Sequence, residues 1–320
     1  VTGYAESEVP GLFRRLLDGD DLPEVVQCRD GTGPDVPPIR RPALMGVVEI
    51  SRGCGLGCDF CTLARNPMVH LPPDTITSDA RTNVDGGAHS VTLISEDVFR
   101  YGGKPEAFID LLRRLRRIPG LGLIQADHAN VSSVARYTDE ELAEVFSLMN
   151  GQGRPHHIWL NLGVETASGE LLEASGTGKM RPFGPDRWDR ACYEQVERLL
   201  RAGFMPMVSL LVGLPGETDR EVRKTLDWVR RLRGRRLTVF PMFLAPVAPG
   251  QRPFRPADMT PAHWELFREC YRLNFKWVPE LCWDNQTAAG VPLWRRALIR
   301  MSGRGYVVLW KTMMFLGSCG

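Results

Sequence analysis

Six apolar runs recur between residues 43 and 245, and segments of helical periodicity separate them. The runs are ALMGVVEI (43–50), SVTLIS (90–95), GLGLIQA (120–126), IWLNLGVE (158–165), MPMVSLLVG (205–213) and LTVFPMFLA (237–245). Nearly continuous apolar runs mark strands buried on both faces. Phe108, Leu111, Leu112 and Leu115 follow i, i+3, i+4, i+7. Leu142, Val145, Phe146 and Met149 repeat that spacing behind a capping box of Thr138 and Glu141. Thr218 and Glu221 form a second capping box, ahead of Val222, Leu226 and Val229. Trp188, Cys192 and Leu199 line a further helix that Gly203 ends. Such alternation requires parallel strands joined by right-handed crossovers. The expected fold class is α/β, as an open sheet or a full or partial barrel.

The flanks read differently. Residues 1–42 are rich in Pro, Gly and Asp and read as an irregular linker behind the remnant of a preceding domain. The chain starts at Val1, as a processed protein or a piece of a longer one would. Residues 251–320 lose the alternation and read as a C-terminal extension covering the barrel, with one helix opened by Thr260 and Pro261. Its Trp- and Met-rich end is expected to pack rather than to meet a membrane. No apolar run approaches the roughly 18 residues of a membrane span, and a cytoplasmic location is expected. The formal net charge of +2 argues against a dedicated electrostatic grip on nucleic acid.

Working residues of parallel α/β proteins gather at the carboxyl ends of the strands. Here Ser95, Glu96 and Asp97 follow the second run, and Asp127, His128 and Asn130 the third. Glu165 ends the fourth, and Gly213, Pro215, Gly216 and Glu217 follow the fifth. After the first run comes SRGCGLGCDFC, in which Cys54, Cys58 and Cys61 are spaced C-x3-C-x2-C. A structural zinc site normally completes four ligands, and His70 is a poor fourth across Pro67. Iron–sulfur clusters take one thiolate per iron. Three thiolates on four irons leave one iron open to a small molecule. Gly53, Gly55 and Gly57 let one loop wrap three corners. Cys192 and Cys270 read as core, and Cys28, Cys282 and Cys319 have no cluster spacing. Gly178-Lys179 is not a phosphate loop, because Glu173 and Met180 break the pattern.

The loop CGLGCDFC resembles the signature of the radical S-adenosylmethionine (SAM) enzymes, and the likeness extends over about 43–250, a candidate core domain. The resemblance implies a partial (β/α)6 TIM-like barrel. It also implies a [4Fe–4S] cluster on Cys54, Cys58 and Cys61, with SAM chelating the fourth iron. An electron from the cluster then cleaves SAM to methionine and a 5′-deoxyadenosyl radical. Ser95, Glu96 and Asp97 match the motif that holds the SAM amino group. Leu211, Gly213 and Leu214 match the strand-five motif along the adenine, Phe60 lies where a backbone meets the adenine, and Glu165 matches a polar residue near the ribose or methionine part. These are cofactor-binding candidates, and no catalytic residue is assigned.

The pieces LGVETAS, GKMRPF and LLVGLPGET resemble the branch of that family with an N-terminal cobalamin-binding domain. Residues 1–19 resemble the last strand and helix of such a domain, so cobalamin would enter only through sequence outside this chain. The implied activity is methylation or other C–H functionalisation of a small molecule, lipid or peptide, with flavodoxin or ferredoxin as reductant and no nucleic acid. The alternatives are a methylthiotransferase acting on RNA and a non-catalytic metal-binding module.

Overall fold

The computed structural model describes residues 6, 8–26, 36–152, 155–245, 247 and 252–316. Its strands are β1 (Val47–Glu49), β2 (Ser51–Arg52), β3 (Val69–His70), β4 (Ser90–Ile94), β5 (Leu123–Ala126), β6 (His128–Asn130), β7 (Trp159–Glu165), β8 (Met205–Val212) and β9 (Thr238–Phe243). Its helices are α1 (Val9–Asp18), α2 (Pro73–Asp85), α3 (Pro105–Leu115), α4 (Val131–Val134), α5 (Asp139–Asn150), α6 (Gly169–Met180), α7 (Trp188–Ala202), α8 (Asp219–Arg231), α9 (Pro261–Ala288) and α10 (Leu293–Leu316).

All six expected strands are present, and every pairing among them is parallel. The order is β1-β4-β5 in one sheet and β6-β7-β8-β9 in the other. The two sheets are one curved surface interrupted at Asp127. That residue donates its N–H to Leu93 O at 3.0 Å and accepts from Asn161 N at 2.8 Å. Asp127, His128 and Asn130 are thus not a loop at a strand end. The third strand continues through them, and Asn130 is its terminus. The first run was expected from 43 but enters the sheet only at Val47, because Leu44–Gly46 is a turn with Met45 at φ 59°. The third run likewise joins at Leu123, after a turn at Gly120.

Among the described residues no pairing joins β9 to β1, so the barrel is partial. Each open edge carries backbone groups that need partners. At one edge Asn274 of α9 donates to Val239 O (2.7 Å) and accepts from Val239 N (2.8 Å). At the other, Asn83 of α2 donates to Val47 O (3.2 Å) and accepts from Ala43 N (2.7 Å). Two asparagines thus satisfy edge groups that a closed barrel would pair strand to strand.

The helices form as their patterns require. Both capping boxes are present at α5 and α8. Gly203 ends α7 at φ 109°. The apolar faces of α2, α3, α5, α7 and α8 bury Ile76, Phe108, Leu112, Val145, Trp188, Val229 and their neighbours against the strands in one continuous core. Each such Leu, Ile, Val or Phe contributes about 1.5–3 kcal/mol by leaving water. Cys192 and Cys270 lie in this core, whereas Cys282 is exposed.

The flanks are more helical than their composition implies. Residues 9–18 form α1, which buries none of its residues. The extension expected to cover the barrel is two helices. α9 packs on α8 and β9, and α10 packs along α9. Cys28, Cys319 and the strand half of the 1–19 resemblance lie outside the described residues.

Candidate functional site

The carboxyl ends of the parallel strands converge on one mouth, and the cysteine loop hangs over it. The antiparallel pair β2–β3 closes the loop at its base, with Ser51 opposite His70. Gly53, Gly55 and Gly57 all have φ between 67° and 75°, a region that side chains avoid. The loop then bonds to itself through Cys54 N to Asn66 O (3.1 Å) and Gly57 N to Ala64 O (2.8 Å). Asp59 N donates to Ser175 O at 2.8 Å, which ties the loop to α6. Cys54 and Cys58 are buried and Cys61 is half-buried.

Helix α6 breaks at Gly176, whose φ of −162° is non-helical. A Cβ there would lie 3.4 Å from the Phe60 ring and 3.5 Å from Cys58 Sγ. The break therefore forms the shelf on which the loop rests. Three residues later Lys179 points inward and is buried. Its Nζ lies 2.9 Å from Glu165 Oε1 and donates to Asn130 Oδ1 at 2.6 Å. Asn130 donates to Asp97 Oδ2 at 3.0 Å, and Ser133 Oγ donates to the same oxygen. A polar chain Glu165–Lys179–Asn130–Asp97–Ser133 thus forms beneath the loop. Glu165 sits at φ 64°, where the β7–β8 register shifts between Gly163 and Glu165. Non-glycine residues in that conformation are uncommon and costly. Gly163 is needed for a different reason. A Cβ on it would lie 2.4 Å from Lys179 Nζ and 2.6 Å from Glu165 Oε1.

Burial sets the electrostatics. It raises the Asp97 carboxyl above its ordinary range, against the bonds from Ser133 and Asn130. Burial also works against the Lys179 charge, but Glu165 and the nearby thiols outweigh it and hold Lys179 above the usual lysine value. The Cys54 thiol is pushed up by burial, and Cys58 to about 11, with Lys179 pulling the other way. Ligation of metal by these thiols must therefore release protons.

The sequence-predicted residues divide into two groups. Phe60, Leu211 and Leu214 meet in a small apolar cluster with Leu171, Leu244 and Phe254. Gly213, at φ 89°, packs under the Phe254 ring, and its N–H donates to Glu217 Oε2 at 2.5 Å. Glu217 in turn lies 3.3 Å from His263 of α9, and burial raises its carboxyl. The second group is the acidic triplet, whose members have different surroundings. Ser95 Oγ is engaged with Ser51 Oγ (2.6 Å) and Asp97 N (3.1 Å). Asp97 faces Asn130 and Ser133. Glu96 keeps a buried Oε2 with no partner, as does Asp97 Oδ1. Glu96 is therefore the triplet's half-buried carboxylate that the polar chain does not use. His128 has Asp127 and Asn161 each at 2.8 Å on its ring nitrogens.

Sequence reading missed five participants. Arg100 donates to Cys54 O at 2.5 Å and to Cys54 Sγ at 3.8 Å. Ser133, Gly176, Phe254 and His263 were the others. No local motif marks any of them, since each acts on a segment far away in the chain. Lys179 stands in GKMRPF and Glu165 in LGVETAS, so the structure joins two pieces that the sequence left apart.

The residues fit a four-iron cluster. The donors are three thiols on one loop with an arginine directed at one sulfur, and a buried ammonium stands nearby. Among the described residues no three His, Cys, Asp or Glu groups converge on a point that a single ion could occupy. A cluster needs no such point, since each thiolate has its own iron, whereas a zinc ion gathers its sulfurs at about 2.3 Å. His70, the candidate fourth zinc ligand, stacks edge-on against Tyr101.

A family model described as the Radical SAM superfamily matches residues 48–229. The ribosomal protein uS12 methylthiotransferase RimO of Nitratidesulfovibrio vulgaris is 28% identical over 60% of this chain and 43% of its own length. The tRNA-2-methylthio-N(6)-dimethylallyladenosine synthase of Desulfosudis oleivorans is 26% identical over 78% of this chain and 52% of its own. The chain thus spans about half the length of the curated relatives it matches. The solved structure of the radical SAM methyltransferase TsrM from Kitasatospora setae, with tryptophan and a SAM analogue bound, aligns with a TM-score of 0.54. That likeness covers 76% of this chain and 51% of that one at 18% identity, and shows a shared fold.

These relatives overturn one expectation. Nucleic acid was excluded and a small-molecule or lipid substrate expected, yet the relatives are named for a ribosomal protein and a tRNA. The exclusion rested on net charge, which is a sum over the whole chain and does not report local distribution. Among the described residues no helix is long and apolar enough to cross a membrane. With 48–229 matched by the family model and three thiols on the loop at the barrel mouth, the chain belongs to the radical SAM superfamily, enzymes built on a [4Fe–4S] cluster and SAM.

Proposed function

We propose that this chain is the core of an enzyme that transfers a methyl group to a carbon lacking an activated proton. One observation carries the reading. LGVETAS and GKMRPF, the pieces that resemble the cobalamin-linked branch, meet as the buried Glu165–Lys179 pair directly beneath the cysteine loop. When bound, the cluster and one SAM would supply a one-electron cleavage of the C5′–S bond, giving methionine and a 5′-deoxyadenosyl radical that takes hydrogen from the substrate carbon; the methyl group would come from a second SAM that leaves as S-adenosylhomocysteine, with two electrons drawn from the reductant overall.

The chain's own residues hold and shield these groups. Cys54, Cys58 and Cys61 ligate iron, and Arg100 directs a donor at the Cys54 sulfur, which draws charge from it. Glu96 offers its unpartnered oxygen to an ammonium group. Phe60, Leu211, Leu214 and Phe254 give an apolar shelf for a flat base and exclude water from the radical. The core is residues 43–250, in a reducing compartment where thiolate ligands persist.

A second reading, methylthio transfer, is favoured by the names of the sequence relatives. The test is anaerobic purification and reconstitution, followed by assay of iron, sulfide and 5′-deoxyadenosine, with Cys58→Ala as control. A chain that binds only zinc, or makes no deoxyadenosine with a competent reductant, overturns the proposal. SAM with a labelled methyl group then separates the readings by product mass, since methylthio transfer adds sulfur as well. Both tRNA and ribosomal protein belong among the substrates offered.

A further inference from the structure

Helix α10 sets two arginines as well as Val307 and Met314 against α9 and leaves much of its apolar surface outward. Arg296, Arg300, Val307 and Met314 are its half-buried residues and face α9. Arg296 and Arg300 lie over the Trp283 ring at 4.9 and 4.8 Å, and Arg300 reaches Glu280 at 3.4 Å. On the opposite side Trp294, Leu298, Met301, Val308 and Leu309 follow i, i+4, i+7, i+14, i+15, and each is between 50% and 63% exposed. A helix that only finished the fold would have the reverse orientation.

What covers this face follows from three further features. Arg295 and Arg304 are exposed beside the apolar row, Lys311 lies over the Phe275 ring of α9 at 5.4 Å, and no Asp or Glu lies between 285 and 316. A second copy of the chain would set cation against cation. RNA would engage the arginines but leave Leu, Met and Val without a partner, since bases stack on aromatic and guanidinium planes. Gly303 and Gly305 sit mid-helix, each about 1 kcal/mol worse than alanine. The segment therefore depends on an external surface for much of its order. Trp294, 61% exposed, stands at one end of the apolar row, whereas Trp310 stacks on Tyr271 of α9.

We infer that α10 is an interfacial helix, about 36 Å long, that seats the enzyme on an anionic phospholipid surface. It lies in the headgroup plane without spanning the bilayer, and the lipid is its support rather than its substrate.

The test is co-sedimentation of the full chain with phosphatidylcholine vesicles, with and without phosphatidylglycerol, beside tRNA as competitor. Binding is expected only to the anionic vesicles, with a gain in helical circular dichroism. Leu298→Asp with Leu309→Asp should abolish it. Arg295→Gln and Arg304→Gln together should weaken it about twenty-five-fold, since each basic residue near such a surface contributes roughly fivefold. These side chains lie outside the core, so the urea midpoint should not move, which separates lost docking from misfolding. No binding to anionic vesicles overturns the inference. So does α10-dependent binding of tRNA in its place, or an α10-dependent change in oligomeric state without lipid.

Discussion

Lys179→Met is the substitution that most directly probes the floor of the site. Methionine matches the length of the lysine stem, so packing is nearly preserved and the ammonium is lost. The wild-type Nζ lies 2.9 Å from Glu165 and 2.6 Å from Asn130, and the Lys179 and Glu165 side chains are each 9% exposed. Removing it leaves a buried carboxylate without a counter-charge and an amide oxygen without a donor. Breaking such a pair costs about 3–5 kcal/mol. With a urea m-value of roughly 3 kcal/mol/M, the midpoint should fall by about 1–2 M. The assay is anaerobic urea unfolding of the metal-free chain, followed by tryptophan fluorescence. Lys179→Met combined with Glu165→Gln should recover at least half of the loss, because neither member of the pair then carries a charge. A loss below about 1 kcal/mol for the single variant, or a double variant no better than it, would refute the pair as a charge-compensated unit.

Asp97→Asn should change the pH profile of stability. The folded carboxyl is raised by burial, so its contribution is full below the unfolded value and is lost as pH rises through the folded one. The variant should therefore be the more stable protein near about pH 8 and lose that advantage near about pH 4, as read from urea midpoints. Trp188→Ala should cost about 3–5 kcal/mol by cavity formation, while Trp188→Phe should cost less. The fully buried indole also donates to Thr166 O at 2.8 Å, so Trp188→Phe should still disturb the backbone next to Glu165.

Six strands, two capping boxes and the Gly203 stop were legible because each is a pattern of near neighbours. The starts of the first and third strands were not, since turns at Met45 and Gly120 interrupt runs whose hydrophobicity continues across them. The Asp127 break was invisible for the same reason. Only the pairing of Asp127 with Leu93 and Asn161 divides the third strand. Net charge misled because +2 is a sum over the whole chain and carries no information about where cations gather.

The sequence by itself determined the α/β class, the positions of the strands and the three thiols on a loop after the first of them. Periodicity, caps and short spacings are local, and local sterics suffice to read them. Tertiary structure decided which polar groups face one another. It placed Lys179 on Glu165 and Asn130, left Glu96 with an unpartnered oxygen while Ser95 and Asp97 were engaged, and capped the two open edges with Asn83 and Asn274. Those choices join residues many positions apart, through buried contacts that exist only once the chain has closed around them. The outward face of α10 belongs with them, because its composition is equally consistent with a buried helix until α9 is seen to occupy its other side.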